Sequence, residues 1–370
     1  MNTVDTAKPV GIGIIGCGGI SDAYFTACPR FPNLKLVACA DLDLERAKAK
    51  AVKYSCVAMT VADLLADPGI DLVVNLTIPA AHVELDLRAL RAGKHVYSEK
   101  PFALSREDGR RVLAEANARN LRVACGPDTN PLGGAVQTAR GLIDGGTIGK
   151  AIATHGYMMM GGHESWHAAP EFYYQRGGGP LLDMGPYYLH TMITLLGPVA
   201  RVAGLARTTW PVRTITSEPK KGKQIPVEVA THLTSLLDFA SGCAGTLVTS
   251  FDIRTGYTAP FLEILGSEGS IQITHNGKLK LSLPADKGGW QDVAFTHPYT
   301  PDLRGVGVAD LGMAIRSGRA HRATGEFALH VLDIMLGVEE SSRSGRFIDI
   351  TCPCDRPAPM AKRPDYDLDP

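Results

Sequence analysis

The chain carries no net charge. Its 370 residues hold 38 lysines and arginines against 38 aspartates and glutamates, so no overall basic field is present to hold a nucleic acid backbone or an anionic membrane surface. No apolar run reaches the length of a bilayer-spanning helix, and the opening MNTVDTAKPV lacks the basic, apolar, small-residue order of a secretion signal. These absences point to a soluble, cytoplasmic protein without nucleic acid or membrane partners. A disulfide framework is missing as well: the 8 cysteines are scattered through apolar runs, a distribution suited to a reducing compartment. Cys352 and Cys354, on either side of Pro353, read as packing or tail residues rather than a metal or redox pair. Internal repeats and low-complexity blocks are absent too. What remains is a chain long enough for two domains, each with a substantial core.

The first of these opens on VGIGIIGCGGIS, an apolar β-type run that breaks into glycines and enters a helix from Ser21. A strand, a tight turn and a helix start present backbone amides to a pyrophosphate. Gly16, Gly18, Gly19, Ile20 and Ser21 are therefore the expected cofactor turn, with Ser21 standing where the third small residue of the fingerprint belongs. The next strand, LKLVACA, ends at Asp41, the separation at which a carboxylate meets the adenosine ribose hydroxyls. Such a carboxylate repels a 2′-phosphate, which favours NAD over NADP. A helix over Thr60 to Ala66 with a capping-box start, a strand DLVVNL, a helix over Ala80 to Ala92 stopped by Gly93, a strand HVYSE, a helix after Ser105 and a strand LRVAC follow. This alternation predicts a doubly wound parallel sheet, whose ligands lie beyond the carboxyl ends of its strands. Thr77, Pro79, His82, Glu99 and Lys100 all fall at such ends. His82 reads equally as a helix-packing residue and as a cofactor contact, whereas proline at 101 gives the Lys100 ammonium a defined direction.

Beyond residue 127 the pattern changes. Strand-like runs at 152–160, 202–207, 228–239, 242–251, 261–265 and 270–274 lack helices of crossover length, which predicts a mostly antiparallel sheet. Helices return at 306–316 and 325–341, and a Pro-rich, charged tail from Pro353 is expected on the surface. The domains are thus 1–127, 128–352 and a tail of 353–370. Within the second, GGGPLLDMGPYYLH (177–190) places Asp183, Tyr187, His190 and Thr194 on one helical face, beside a broad apolar stripe of Tyr188, Leu189, Met192, Ile193, Leu195 and Leu196. The polar face reads either as a substrate wall or as a solvated surface in which Asp183 is only the N-cap.

GCGGIS, AGKHVYSEKP from Ala92, LIDGGTIG from Leu142 and GGGPLLDMG from Gly177 together resemble the Gfo/Idh/MocA family of sugar and cyclitol oxidoreductases, in order and over nearly the whole chain. The resemblance implies an α/β protein: a Rossmann domain followed by an α/β domain with a large, mostly antiparallel open sheet, assembled as a homodimer or homotetramer. In that family the lysine of EKP works with a histidine four residues after the aspartate of the later motif. Carried over, these are Lys100, Asp183 and, in place of the histidine, Tyr187. A phenol is a weak base at neutral pH, but a neighbouring ammonium stabilises its phenolate. The resemblance therefore implies Lys100, Tyr187 and Asp183 as catalytic residues, Asp183 orienting substrate hydroxyls, with His190 contacting a sugar hydroxyl or serving as the fallback base.

HESWH (163–167) has the literal pattern of zinc metalloproteases, which requires both imidazoles on one face of a stable helix. Gly161, Gly162 and Pro170 leave room for little more than two turns, so no metal is expected. The segment reads instead as a loop or packing element, with His163, Trp166 and His167 as substrate contacts alongside Glu164. Arg304 and Asp310 are weaker pocket candidates that read as a surface ion pair. The expectation is an NAD-dependent dehydrogenase, or the reverse ketoreductase, for a secondary hydroxyl of a carbohydrate or cyclitol. A non-sugar diol dehydrogenase, a non-catalytic NAD-binding regulator and a zinc hydrolase are the alternatives.

Overall fold

Asp43, Thr60 and Ser105 start three helices by the same device: each side chain accepts backbone N–H bonds from the first turn, relieving donors that a helix start leaves unsatisfied. These helices belong to the first part of a chain whose computed structural model describes residues 8–298, 304–363, 366, 368 and 369. The leader reading of the first seven residues lies outside the described residues. Strands β1 (Val10–Ile15), β2 (Leu34–Ala40), β3 (Val57–Met59), β4 (Leu72–Asn75), β5 (His95–Ser98) and β6 (Val123–Cys125) alternate with helices α1 (Ser21–Ala27), α2 (Leu44–Tyr54), α3 (Val61–Ala66), α4 (Pro79–Arg91) and α5 (Arg106–Ala118). All six strands are parallel in the order β3-β2-β1-β4-β5-β6. The reversal of order at β1 and β4 puts the switch point where the glycine turn leaves β1.

The remainder builds a nine-stranded sheet. After α6 (Gly134–Asp144) come β7 (Ala151–Met159), α7 (Pro180–Leu196), β8 (Val199–Arg207) and a separate hairpin of β9 (Val212–Thr214) and β10 (Gln224–Pro226). Then follow β11 (His232–Phe239), β12 (Ala244–Ser250), β13 (Leu262–Gly266), β14 (Ser270–Ile273), β15 (Leu279–Ser282) and β16 (Gln291–Asp292). Helices α8 (Val306–Ser317) and α9 (Gly325–Ser344) precede the last strand, β17 (Ile348–Asp349). The sheet order is β16-β15-β14-β13-β7-β12-β11-β8-β17, antiparallel at every neighbouring pair except β7 and β12. Helix α7 lies so close on this sheet that a Cβ at Gly156 would sit 2.9 Å from Met192 and 3.0 Å from Tyr188. The predicted apolar stripe of α7 is buried throughout.

Two compact units result, and their limits differ from the expected domains. The first contains the described residues up to Gln137, together with Thr296–Leu329 and the chain from Pro357; the second is Thr138–Phe295 with His330–Arg356. The reason is apolar. Val306, Val308 and Leu311 of α8 are buried in the same cluster as Val10, Ile12 and Leu34, so the parallel sheet's core is closed by residues far along the chain. Most described residues of the tail are exposed, as expected, but the tail is also anchored in the core. Met360 and Leu368 are 5% and 3% exposed within that cluster, the Met360 N–H donates to Gln137 at 2.8 Å, and Arg322 donates to Asp369 at 2.6 Å. Asp310, expected at the surface, is fully buried and paired with Arg319 and Arg322. Among the described residues no helix is long and apolar enough to cross a membrane.

Candidate active site

In the first unit the site begins at the glycine turn. Gly16 has φ +100°, and a Cβ there would meet the Leu76 carbonyl carbon at 2.7 Å, so only glycine lets β1 pass the end of β4. At Gly18 and Gly19 an added Cβ would meet nothing within 4 Å. Open space over two glycines at a strand-to-helix turn, flanked by exposed Ile20, Leu42 and Ile78, fits a dinucleotide with its phosphates on the turn and apolar walls beside a base. Asp41 is held in place: its carboxylate accepts the Cys17 N–H at 2.7 Å and the Asp43 N–H at 2.9 Å. Ser21, expected at the cofactor, is instead fully buried, and its hydroxyl donates to the Gly18 carbonyl at 2.6 Å. It ties the turn rather than reaching out of it.

The strand ends beyond β4 and β5 are braced from below. Thr77 donates to Asn75 Oδ1 at 2.7 Å, and Pro79 opens α4. His82 is fully buried, with its ring nitrogens 2.8 Å from the Pro101 carbonyl and 3.0 Å from the Thr77 carbonyl, which fits the packing reading. The ring clamps the Thr77 loop to the loop carrying Lys100. Asp86, one turn along α4, is fully buried, accepts from Asn75 at 2.7 Å and is pushed up by burial to about 6. Glu99 is also turned inward. It accepts from Tyr24 at 2.8 Å, from Arg304 at 3.1 Å and from the Lys100 N–H at 3.0 Å. Glu99 thus positions Lys100, and Arg304 is part of that brace rather than a surface pair. Nothing in local sequence spacing signals the Tyr24 and Arg304 partners.

In the second unit, α7 carries the remaining candidates. Its N-cap is Gly179, with Pro180 in the first turn. Asp183 therefore lies inside the helix rather than at its cap, and it is 3.6 Å from His163 Nε2. His163 stacks on Tyr173 at 3.7 Å between ring centroids and meets Phe251 edge-on at 4.6 Å. Trp166, 59% exposed, and His167 continue this aromatic wall. Glu164 points the other way, into a buried network: it accepts from Arg213 at 2.8 Å and from the Tyr174 hydroxyl, while Arg213 also donates to Asp252. A carboxylate so engaged is not available as the general base of a metalloprotease.

Tyr187 is half-buried, one turn after Asp183, and its carbonyl accepts from Thr191. His190 and Thr194 depart from the expected polar stripe, at 2% and 1% exposure. The His190 Nδ1–H donates to the Pro186 carbonyl at 2.8 Å, and burial lowers its imidazole to about 4. A group so poorly basic is a weak candidate for proton abstraction near neutral pH.

These buried imidazoles have a consequence for acid stability. His95 and His190 are both brought to about 4 by burial, and His275, His297, His321 and His330 are shifted the same way. Between the ordinary value of about 6.5 and about 4 the unfolded chain takes up protons that the folded imidazoles refuse. Stability therefore falls as pH falls through that window. Asp86, raised to about 6, and Asp128 and Glu339, raised by burial, oppose this but are outnumbered. The melting temperature should drop from pH 7 to pH 4.5, with a shallower drop in His190→Gln; a flat profile would contradict the burial of these rings.

A parallel sheet in the 3-2-1-4-5-6 order, with an open glycine turn at the switch point and a carboxylate after β2, defines a dinucleotide-binding α/β protein. The chain belongs to the Gfo/Idh/MocA oxidoreductase family. Residues 10–126 match its NAD-binding Rossmann fold and residues 136–272 match its C-terminal domain. Levoglucosan dehydrogenase of Pseudarthrobacter phenanthrenivorans is 24% identical over 338 residues, covering 82% of this chain and 85% of that protein. The dTDP-3,4-didehydro-2,6-dideoxy-alpha-D-glucose 3-reductase of Streptomyces violaceoruber is 31% identical over 278 residues, covering 73% and 74%. A crystal structure of an NAD-binding oxidoreductase from Klebsiella pneumoniae has the same fold, with a TM-score of 0.82 at 23% identity over 93% of this chain and 99% of the other.

Proposed function

We propose that the chain is an NAD-dependent dehydrogenase, or the ketoreductase running in reverse, for a secondary hydroxyl of a pyranose, glycoside or cyclitol. The observation that carries this reading is the wall in which Asp183 stands 3.6 Å from His163, beside the exposed indole of Trp166. A carboxylate next to an aromatic face suits a ring with hydroxyls on its edge and C–H groups on its surface. The sugar-directed names of the two sequence relatives support it. NAD, when bound, supplies the acceptor or donor of the hydride. Asp183 binds and orients substrate hydroxyls, Tyr187 takes or returns the hydroxyl proton, and Lys100 supplies positive charge for the substrate oxygen. Glu99 and His82 hold the backbone on either side of Lys100. Ile152, Leu205 and Leu236, exposed on the strands of the nine-stranded sheet, support assembly as a homodimer or homotetramer. Cysteines that are all free support a reducing, cytoplasmic setting.

The test is a panel of sugars, glycosides and cyclitols with NAD and with NADP, followed by absorbance of the reduced nicotinamide. Turnover of at least one ring hydroxyl with a clear preference for NAD is expected, because the Asp41 carboxylate opposes a 2′-phosphate. Asp41→Ala should relax that preference and also weaken NAD binding, since it removes the acceptor for the Cys17 N–H. Equal kcat/KM for the two cofactors in the wild type would overturn the assignment, and no turnover across the panel would favour the regulator.

A further inference from the structure

Both ring nitrogens of His82, in the first unit, face carbonyl oxygens: Nδ1 that of Pro101 at 2.8 Å and Nε2 that of Thr77 at 3.0 Å. A carbonyl oxygen only accepts, and a neutral imidazole has a single N–H. One nitrogen of a neutral ring would therefore point its lone pair at an oxygen lone pair, in a fully buried site where such a mismatch is costly. The imidazolium form donates at both ends and removes the conflict.

A buried positive charge needs a negative partner. Asp86, one turn along α4 and also fully buried, supplies it. Burial pushes its carboxyl up to about 6 while the His82 charge acts in the opposite sense, so the carboxylate is ionised at neutral pH. The other ionisable groups around this spot are Glu99 and Lys100, which follow β5, and the Cys125 thiol of β6, which burial pushes up. Glu99 is already engaged by Tyr24 and Arg304. Asn75 then ties the pair to the Thr77 loop. Its amide nitrogen donates to Asp86 at 2.7 Å and to the His82 carbonyl at 3.1 Å, and its oxygen accepts the Thr77 N–H at 3.2 Å and the Thr77 hydroxyl at 2.7 Å. Two loops at the carboxyl ends of β4 and β5 thus converge on one pair of opposite charges.

We infer that His82 and Asp86 are positioning residues that act as a buried ion pair: the imidazolium draws the Thr77 and Pro101 carbonyls together, and Asp86 keeps the ring charged, so that the loops bearing Thr77 and Lys100 are set for the cofactor. The inference rests on the proposed function for the role of Lys100 in the reaction. The test uses the full-length protein labelled with ¹⁵N in its histidines. At pH 7 the His82 resonances, assigned by their absence from His82→Gln, should show a proton on each ring nitrogen. Asp86→Asn should turn the ring neutral, since the isosteric amide keeps an acceptor for Asn75 but not the charge. Titration with NADH should find affinity about tenfold weaker in Asp86→Asn, and kcat should fall by on the order of tenfold as Lys100 loses its setting. A purely structural Asp86 would lower the melting temperature and leave the NADH affinity of the folded protein unaltered. The wild-type spectrum decides the charge even where a variant fails to fold. One bare nitrogen on the wild-type ring, or wild-type NADH affinity in Asp86→Asn, would overturn the inference. A charged ring and weakened NADH binding in Asp86→Asn, with no turnover of any ring hydroxyl, would uphold the ion pair and sink the dehydrogenase reading.

Discussion

Tyr187→Phe should lower kcat by on the order of 10² to 10⁴ while leaving NAD affinity nearly unchanged, because the substitution removes only a phenolic hydroxyl. Shape, burial and the packing of α7 are retained. Under the proposed function Lys100→Met should be at least as harmful, since a hydrophobic side chain of similar length removes the positive charge proposed for the substrate oxygen. His190→Gln separates the two histidine readings. The buried His190 imidazole, brought to about 4 and donating to Pro186, is placed to support the helix, so the variant should keep turnover near the wild-type pH profile. Steady-state kinetics over a range of pH, with NAD binding measured separately, checks all three. A fully active Tyr187→Phe enzyme beside an inactive His190→Gln enzyme would move proton transfer to the histidine.

Glu164→Ala should destabilise the fold by about 3–5 kcal/mol, the cost of removing one member of a buried ion pair and leaving its partner uncompensated. Arg213 would keep Asp252 but lose Glu164, and the Tyr174 hydroxyl would lose its acceptor in the same step. Denaturant unfolding measures the loss. Under the metalloprotease reading of HESWH, Glu164→Ala would abolish hydrolysis with the fold intact, and chelation would mimic it. Under the structural reading, the loss appears in stability, and chelation of the wild type leaves activity unchanged. A variant with wild-type unfolding behaviour would refute the buried network.

The parallel sheet was legible because its signals are local. Each of Gly16, Gly93, Thr60 and Ser105 acts on its own turn or helix end, and the strands between them are short apolar runs. The apolar stripe of α7 was legible for the same reason. Apart from the domain limits, which apolar residues far along the chain decide, the misreadings concern polar residues whose partners are remote or hidden. Helical spacing places His190 on a polar face but does not show that a carbonyl of its own helix accepts the Nδ1–H. Asp310 reads as a surface charge until Arg319 and Arg322 close around it, and Glu99 reads as a cofactor contact until Tyr24 and Arg304 turn it inward. Serine at position 21 fits the fingerprint by size, yet its hydroxyl finds an acceptor three residues back. Burial of a polar side chain depends on partners brought together by the fold, and periodicity carries no record of them.

The first unit is discontinuous along the chain, with Thr296–Leu329 and the residues from Pro357 completing a core begun at Val10. During synthesis the ribosome must make Thr138–Phe295 of the second unit before it reaches α8, roughly 10 to 30 s at about 5–20 residues per second. Throughout that interval the parallel sheet emerges with part of its apolar face still waiting for Val306, Leu311, Met360 and Leu368. A chain released early, short of Met360, would carry every residue of the glycine turn and still lack a finished nucleotide-binding domain. Closure of this core thus waits for residues as far along the chain as Met360 and Leu368.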